Sequence, residues 1–173
     1  MTERIRQVLV RTSSGDVRLP EKRRLVPTLR RSAPARIVNV ASAGQAPIDF
    51  GDVMLERSYD GVQAYCQSKL ALVMLTFDLA EELAATNVTA NCLHPATYMP
   101  TKMVLAARGS GVSTIEEGVQ ATTHLITAPE LEHVTGRYYN GLRETRAESQ
   151  TYDRQARRQL RQLSEQLTGV AGS

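Results

Sequence analysis

Tyr65 and Lys69 stand four positions apart in the run Tyr65-Cys-Gln-Ser-Lys69, and no Gly or Pro interrupts residues 65–83. On a helix, side chains at i and i+4 project from the same face. A free phenol ionises at a pH of about 10 and is a poor base near neutrality. A lysine ammonium held beside it favours the phenolate. A tyrosine in that setting can give or take a proton while a carbonyl and an alcohol interconvert. An isolated Tyr–Lys pair of this kind is usually just two solvated side chains, so the elements around it decide how much it means.

Residues 65–83 read as a long amphipathic helix. Leu72, Leu75, Leu79 and Leu83 recur three or four residues apart, and Val73 and Met74 widen the apolar face. Upstream lies Arg36-Ile-Val-Asn-Val-Ala-Ser42. Its apolar residues fall on both faces, which suits a buried parallel strand over residues 37–41 ending in a hydroxyl. Downstream, Val88-Thr-Ala-Asn-Cys-Leu-His-Pro95 reads as a second strand stopping at a proline. Further on, Ser113-Thr-Ile-Glu116 has the spacing of a capping box and opens a helix to about residue 127, which Pro129 stops. Residues 135–141 read as a short strand between glycines, and a terminal helix starts at Thr151 or Asp153 with Leu160, Leu163 and Leu167 as its apolar edge. Residues 45–62 and 98–112 read as loops. Strands alternating with helices imply an α/β fold with a parallel sheet covered on both faces.

Strand with terminal Ser, helix opening with YxxxK, strand ending in His-Pro: this order resembles the short-chain dehydrogenase/reductase family. The wording Ala64-Tyr-Cys-Gln-Ser-Lys-Leu-Ala71 is most similar to its retinol-dehydrogenase-like branch. The resemblance covers roughly residues 25–168. It implies a partial doubly wound, Rossmann-like sheet, the C-terminal half of the family fold. It also implies the roles of residues. Tyr65 would be the proton donor or acceptor, Lys69 would lower its pKa and hold the nicotinamide ribose, and Ser42 would hydrogen-bond the substrate oxygen. Pro95, Ala96 and Thr97 would face the carboxamide, and Thr101 would contact the diphosphate. The cofactor so implied is NAD or NADP, and the substrate a small lipophilic carbonyl or alcohol. Where the family usually has Pro-Gly, this chain has Pro95-Ala96. Alanine lacks glycine's conformational freedom and could hinder a close approach to the cofactor.

The family's glycine-rich turn, which seats a pyrophosphate at a helix N-terminus, cannot be written in this chain. Before Gly44 the only glycine is Gly15, and the first asparagine is Asn39. Residues 1–24 therefore read as a divergent basic leader before a catalytic half-domain over 25–173. The leader is expected as a short helix near residues 5–9 or a short strand over 7–11, then a turn over 12–16 and a helix from Pro20 to Arg31 kinked at Pro27. Two functional readings share every motif: an oxidoreductase of the family, or a non-catalytic paralogue that acts as an association module or an inert remnant. The strand at 37–41 is expected either to be an apolar edge that drives self-association into a homo-oligomer, or to be covered by residues 5–12 as a substitute strand.

Composition bounds the rest. A chain of 173 residues is one domain by length, with 42% apolar residues. Residues 1–36 hold ten basic and three acidic residues, so with a net charge of +3 overall the remainder carries −4. That arm has no aromatic residue to stack on a base, and nucleic acid is not the expected partner. No apolar run approaches the ~18 residues needed to span a membrane. Cys66 and Cys92 have no metal-site or disulfide spacing and are expected to be buried thiols of a cytoplasmic protein. His94, His124 and His133 form no constellation and read as structural.

Overall fold

Alternation along two strands decides which helix lies on which face of the sheet. In the computed structural model, which describes residues 8–10 and 19–168, β2 (Ala35–Val40) and β3 (Val88–His94) are buried almost throughout and pair in parallel. Ile37 and Ala90 face α1 (Leu19–Arg31) and α2 (Gly61–Glu82), against Val26, Leu29, Leu79 and Leu83. Val38 and Leu93 point the other way, onto Ala121 and Leu125 of the helix spanning Ile115–Thr127. Successive strand residues face opposite sides, so each central strand feeds two cores.

The sheet has five strands in the order β1-β2-β3-β4-β5. β1 (Val8–Val10) runs parallel to β2, with Val8 opposite Ile37, and β4 (Tyr138–Asn140) runs parallel to β3. Of the alternatives for the leader, the substitute strand is the one formed, so β2 is an inner strand and not an edge. The short helix near residues 5–9 is not formed at positions 8–10, and the turn read over 12–16 lies outside the described residues. The division at position 24 falls inside α1, which continues past Pro27.

Three boundaries differ from the sequence reading, each for a local reason. α2 starts at Gly61, four residues before Tyr65, because Asp60 accepts the Gln63 N–H at 2.7 Å and caps it there. α4 (Ile115–Thr127) is opened by a capping box of Thr114 and Glu117, one position later than Ser113 and Glu116. Ser113 serves elsewhere, accepting the Thr97 N–H. The expected loop over 98–112 contains α3 (Lys102–Arg108), capped by Thr101 and ended by Gly109 in left-handed backbone at φ 75°. β5 (Arg143–Thr145), antiparallel to β4, was not expected, nor was the 3₁₀ turn Ser149–Tyr152 before α5 (Arg154–Thr168). Only part of the predicted apolar edge of α5 is covered: Ala156 is buried against Ile48, Leu70 and Met74, Leu160 packs beside them, and Leu167 is exposed.

Arg36, counted with the basic arm by sequence, is 6% exposed. Its guanidinium donates to the carbonyls of Ala128 at 2.8 Å and Leu125 at 3.3 Å, closing the C-terminal end of α4. Positive charge there also meets the negative end of the helix dipole. Arg36→Met keeps the apolar stem and leaves both carbonyls without their donor, and should cost about 2–3 kcal/mol in urea denaturation at unchanged m-value. A loss below about 0.5 kcal/mol would mean that water satisfies those carbonyls equally well.

Candidate active site

The loop after β2 and the first turns of α2 meet beyond the carboxyl ends of the parallel strands, where open α/β sheets bind ligands. Ser42 lies two residues past the end of β2 and is almost buried. Its Oγ accepts the Gly44 N–H at 3.1 Å, which leaves the hydroxyl proton free to be donated. A Cβ placed on Gly44 would lie 3.4 Å from Cys66 Sγ, 3.5 Å from Tyr65 Cε1 and 3.6 Å from Ser42 Oγ. Ser42 and Tyr65, 23 positions apart in sequence, therefore border one small space, and only a residue without a side chain leaves it open.

Lys69 stands over the Tyr65 ring with Nζ 5.4 Å from the centroid, as the i, i+4 spacing predicts. Burial holds the Lys69 ammonium below the ordinary lysine range. Among the described residues no carboxylate lies within ion-pair distance of it. A partly desolvated ammonium with three donors and no carboxylate suits a neutral polyhydroxyl acceptor such as a ribose, so these residues fit the nicotinamide end of a dinucleotide. Tyr65 is 43% exposed, so its side chain is open to solvent. Cys92 is a fully buried thiol as expected, whereas Cys66 is only half-buried, because Cys66 opens onto the same space as Tyr65.

The segment after β3 leaves the sheet at the same end as the loop after β2. Pro95 is buried, Ala96 half-buried and Thr97 exposed. Among the described residues only Leu55 and Tyr98 are non-glycines with positive φ, so Ala96 sits in backbone that any residue adopts. Thr97 is pinned on three sides. Its N–H reaches Ser113 Oγ at 3.3 Å, its carbonyl accepts the Ser113 N–H at 2.9 Å, and its hydroxyl meets His94 Nε2 at 3.1 Å. Burial lowers the pKa of His94 and favours the neutral ring. Thr101 is the N-cap of α3, where its Oγ1 accepts the Val104 N–H.

Sequence reasoning missed Tyr138 and Gln45, which both donate to the Ser42 carbonyl, at 2.9 and 2.8 Å. Nothing local could have signalled Tyr138, since the bond spans 96 positions and depends on β4 lying beside β3. Burial, reinforced by the neighbouring Cys92 thiol, pushes the Tyr138 phenol up to about 12. The unfolded phenol ionises at about 10, so the folded state keeps a proton that the unfolded state loses. Stability from this group is full below pH ~10 and is lost as pH rises toward ~12. Tyr138→Phe should therefore flatten the fall in denaturation midpoint over that alkaline window, and an unchanged slope would count against the buried-phenol assignment.

The profile described as short chain dehydrogenase matches residues 22–110, which include Ser42, Tyr65 and Lys69. The chain belongs to the short-chain dehydrogenase family. Among curated family members it is 35% identical over 164 residues to retinol dehydrogenase 13 of Mus musculus, covering 85% of this chain and 49% of that protein. It is 34% identical to retinol dehydrogenase 14 of Homo sapiens, covering 84% and 48%, and 33% identical to the polyprenol dehydrogenase of Homo sapiens, covering 84% and 50%. The chain thus spans about half the length of the curated relatives it matches. In structure it resembles an uncharacterised protein from Mycobacterium paratuberculosis at a TM-score of 0.60 and 25% identity, covering 78% of this chain and 50% of that one. The 3-ketoacyl-(acyl-carrier-protein) reductase of Brucella melitensis, solved with NADH, matches at a TM-score of 0.53 and 21% identity over 69% of this chain and 49% of its own, and shares the fold.

Proposed function

We propose that this chain carries the catalytic half of an NAD(P)-dependent oxidoreductase that interconverts a carbonyl and a primary or secondary alcohol. The observation that carries the reading is that Ser42 and Tyr65 border the space beside Gly44, with Lys69 over the Tyr65 ring, past the carboxyl end of a parallel strand. When bound, the nicotinamide supplies or accepts the hydride. Lys69 and Tyr65 would hold its ribose, with the segment 95–97 beside its carboxamide. Ser42 keeps a fixed donor where negative charge develops on the substrate oxygen. Tyr65 transfers the proton to or from that oxygen, and the Lys69 ammonium favours the phenolate that forms. The relatives' names point to lipophilic alcohols, and a small lipophilic carbonyl or alcohol is the substrate class this reading takes. Within it the chain works in the cytoplasm as a homo-oligomer.

The test is titration of NADH and NADPH into the purified chain, followed by nicotinamide fluorescence. Saturable binding at micromolar concentration, weakened about tenfold or more in Lys69→Ala, is the expected result. No saturation with either nucleotide sinks the reading. A second reading, association without turnover, is favoured by the exposed apolar residues Val112, Ile115 and Val119 at the start of α4. It expects self-association by light scattering with no nucleotide binding.

A further inference from the structure

We propose that Tyr138 and Gln45 are positioning residues that clamp the Ser42 peptide and so aim its hydroxyl at Tyr65, an inference that rests on the reading of Ser42 as the substrate-oxygen donor. The ladder between β2 and β3 ends with the Ala41 N–H donating to Leu93 O at 2.8 Å. Ser42 is the next residue, so the sheet no longer holds its backbone. Two side-chain donors take over its carbonyl, the Tyr138 hydroxyl at 2.9 Å and Gln45 Nε2 at 2.8 Å.

Each donor is itself held. Tyr138 is 3% exposed and lies on a strand that does not pair with β2, so its side chain crosses the face of β3 beside Cys92 to reach the loop after β2. A phenylalanine would fill the same volume without burying a hydroxyl, and the bond to Ser42 is what offsets that burial. Gln45 Oε1 accepts the Glu148 N–H at 3.0 Å, which fixes the amide so that its nitrogen faces Ser42. Two residues after Glu148, Gln150 takes both backbone groups of Ile48, accepting its N–H at 2.7 Å and donating to its carbonyl at 3.2 Å. The loop that presents Ser42 is thus tied at two points to the segment before α5. The carbonyl clamp fixes the rotation of the peptide, and the Gly44 N–H fixes Oγ, leaving one proton to donate into the space beside Tyr65.

The test uses Tyr138→Phe in the full chain. Amide hydrogen exchange at Gly44, whose N–H rests on Ser42 Oγ, should speed up about tenfold, with the β3 amides keeping their protection. Unchanged exchange at Gly44 overturns the proposal. So does equal loosening along β3, which would show a loss of stability alone. In turnover assays kcat should fall about tenfold at unchanged KM, and in a Ser42→Ala background Tyr138→Phe should add no further loss. Additive losses overturn the proposal, because a residue acting through Ser42 has nothing to act on once its hydroxyl is gone. If the unaltered chain binds no nucleotide and turns nothing over while Gly44 still loosens, the clamp stands and the redox reading alone falls.

Discussion

Tyr65→Phe should abolish measurable turnover, lowering kcat by about 10³-fold or more, while leaving the thermal midpoint within a degree or two. The two halves of that expectation rest on different observations. The chemical half rests on the phenolic hydroxyl being the proton carrier of the pair, with Lys69 standing over its ring. The structural half rests on exposure. Tyr65 is 43% exposed and lies in the second turn of α2, ahead of the run from Leu70 to Ala80 that fills the core. Removing a hydroxyl from such a place creates no cavity and orphans no buried group. Steady-state kinetics with a lipophilic alcohol and either nucleotide, beside a thermal melt of the same sample, check both halves. Activity retained in the variant would remove Tyr65 from the mechanism. Activity and melting temperature lost together would show a structural role instead.

The largest loss of stability from one polar side chain is expected at Asp78→Ala, about 3 kcal/mol. Asp78 on α2 faces two guanidiniums of α5, Arg157 at 3.4 Å and Arg161 at 3.0 Å. Arg157 is 4% exposed, and its other partner, Glu81 at 2.6 Å, is half exposed. Removing Asp78 therefore leaves a buried cation with one solvent-screened partner, and the desolvation cost of that cation is no longer offset. The reverse change is milder. Arg157→Met removes the more deeply buried charge, keeps the apolar contact, and leaves Asp78 with Arg161, so it should cost about 1 kcal/mol or less. Urea unfolding of both variants, followed by far-ultraviolet circular dichroism, measures the asymmetry. Equal losses would mean that the burial of Arg157 does not set the cost of breaking the pair.

Residue spacing was enough to read the middle of the chain. The leucine period of α2, the two-faced apolar runs of β2 and β3, and the cap ahead of α4 are local patterns with local causes. The same spacing put Tyr65 and Lys69 on one helix face, and the structure finds them stacked there. Elements whose stability comes from partners were not legible. α3 and β5 are seven and three residues long, too short to carry a periodic signal. Cys66 was read as buried from its place beside the motif tyrosine, yet its side chain borders the loop after β2 and is only half-buried.

By itself, then, the sequence determined the type of fold, the order of the central elements and the identity of the candidate Tyr–Lys pair, because side-chain periodicity and helix geometry are properties of neighbours in the chain. Only the tertiary structure decided that residues 8–10 pair with β2, that Arg36 closes a helix instead of joining a basic arm, and that Tyr138 holds Ser42 from 96 positions away. Those are contacts between segments that a sheet brings together, and their energies arise from desolvation and hydrogen bonding at places that no local pattern in the chain encodes.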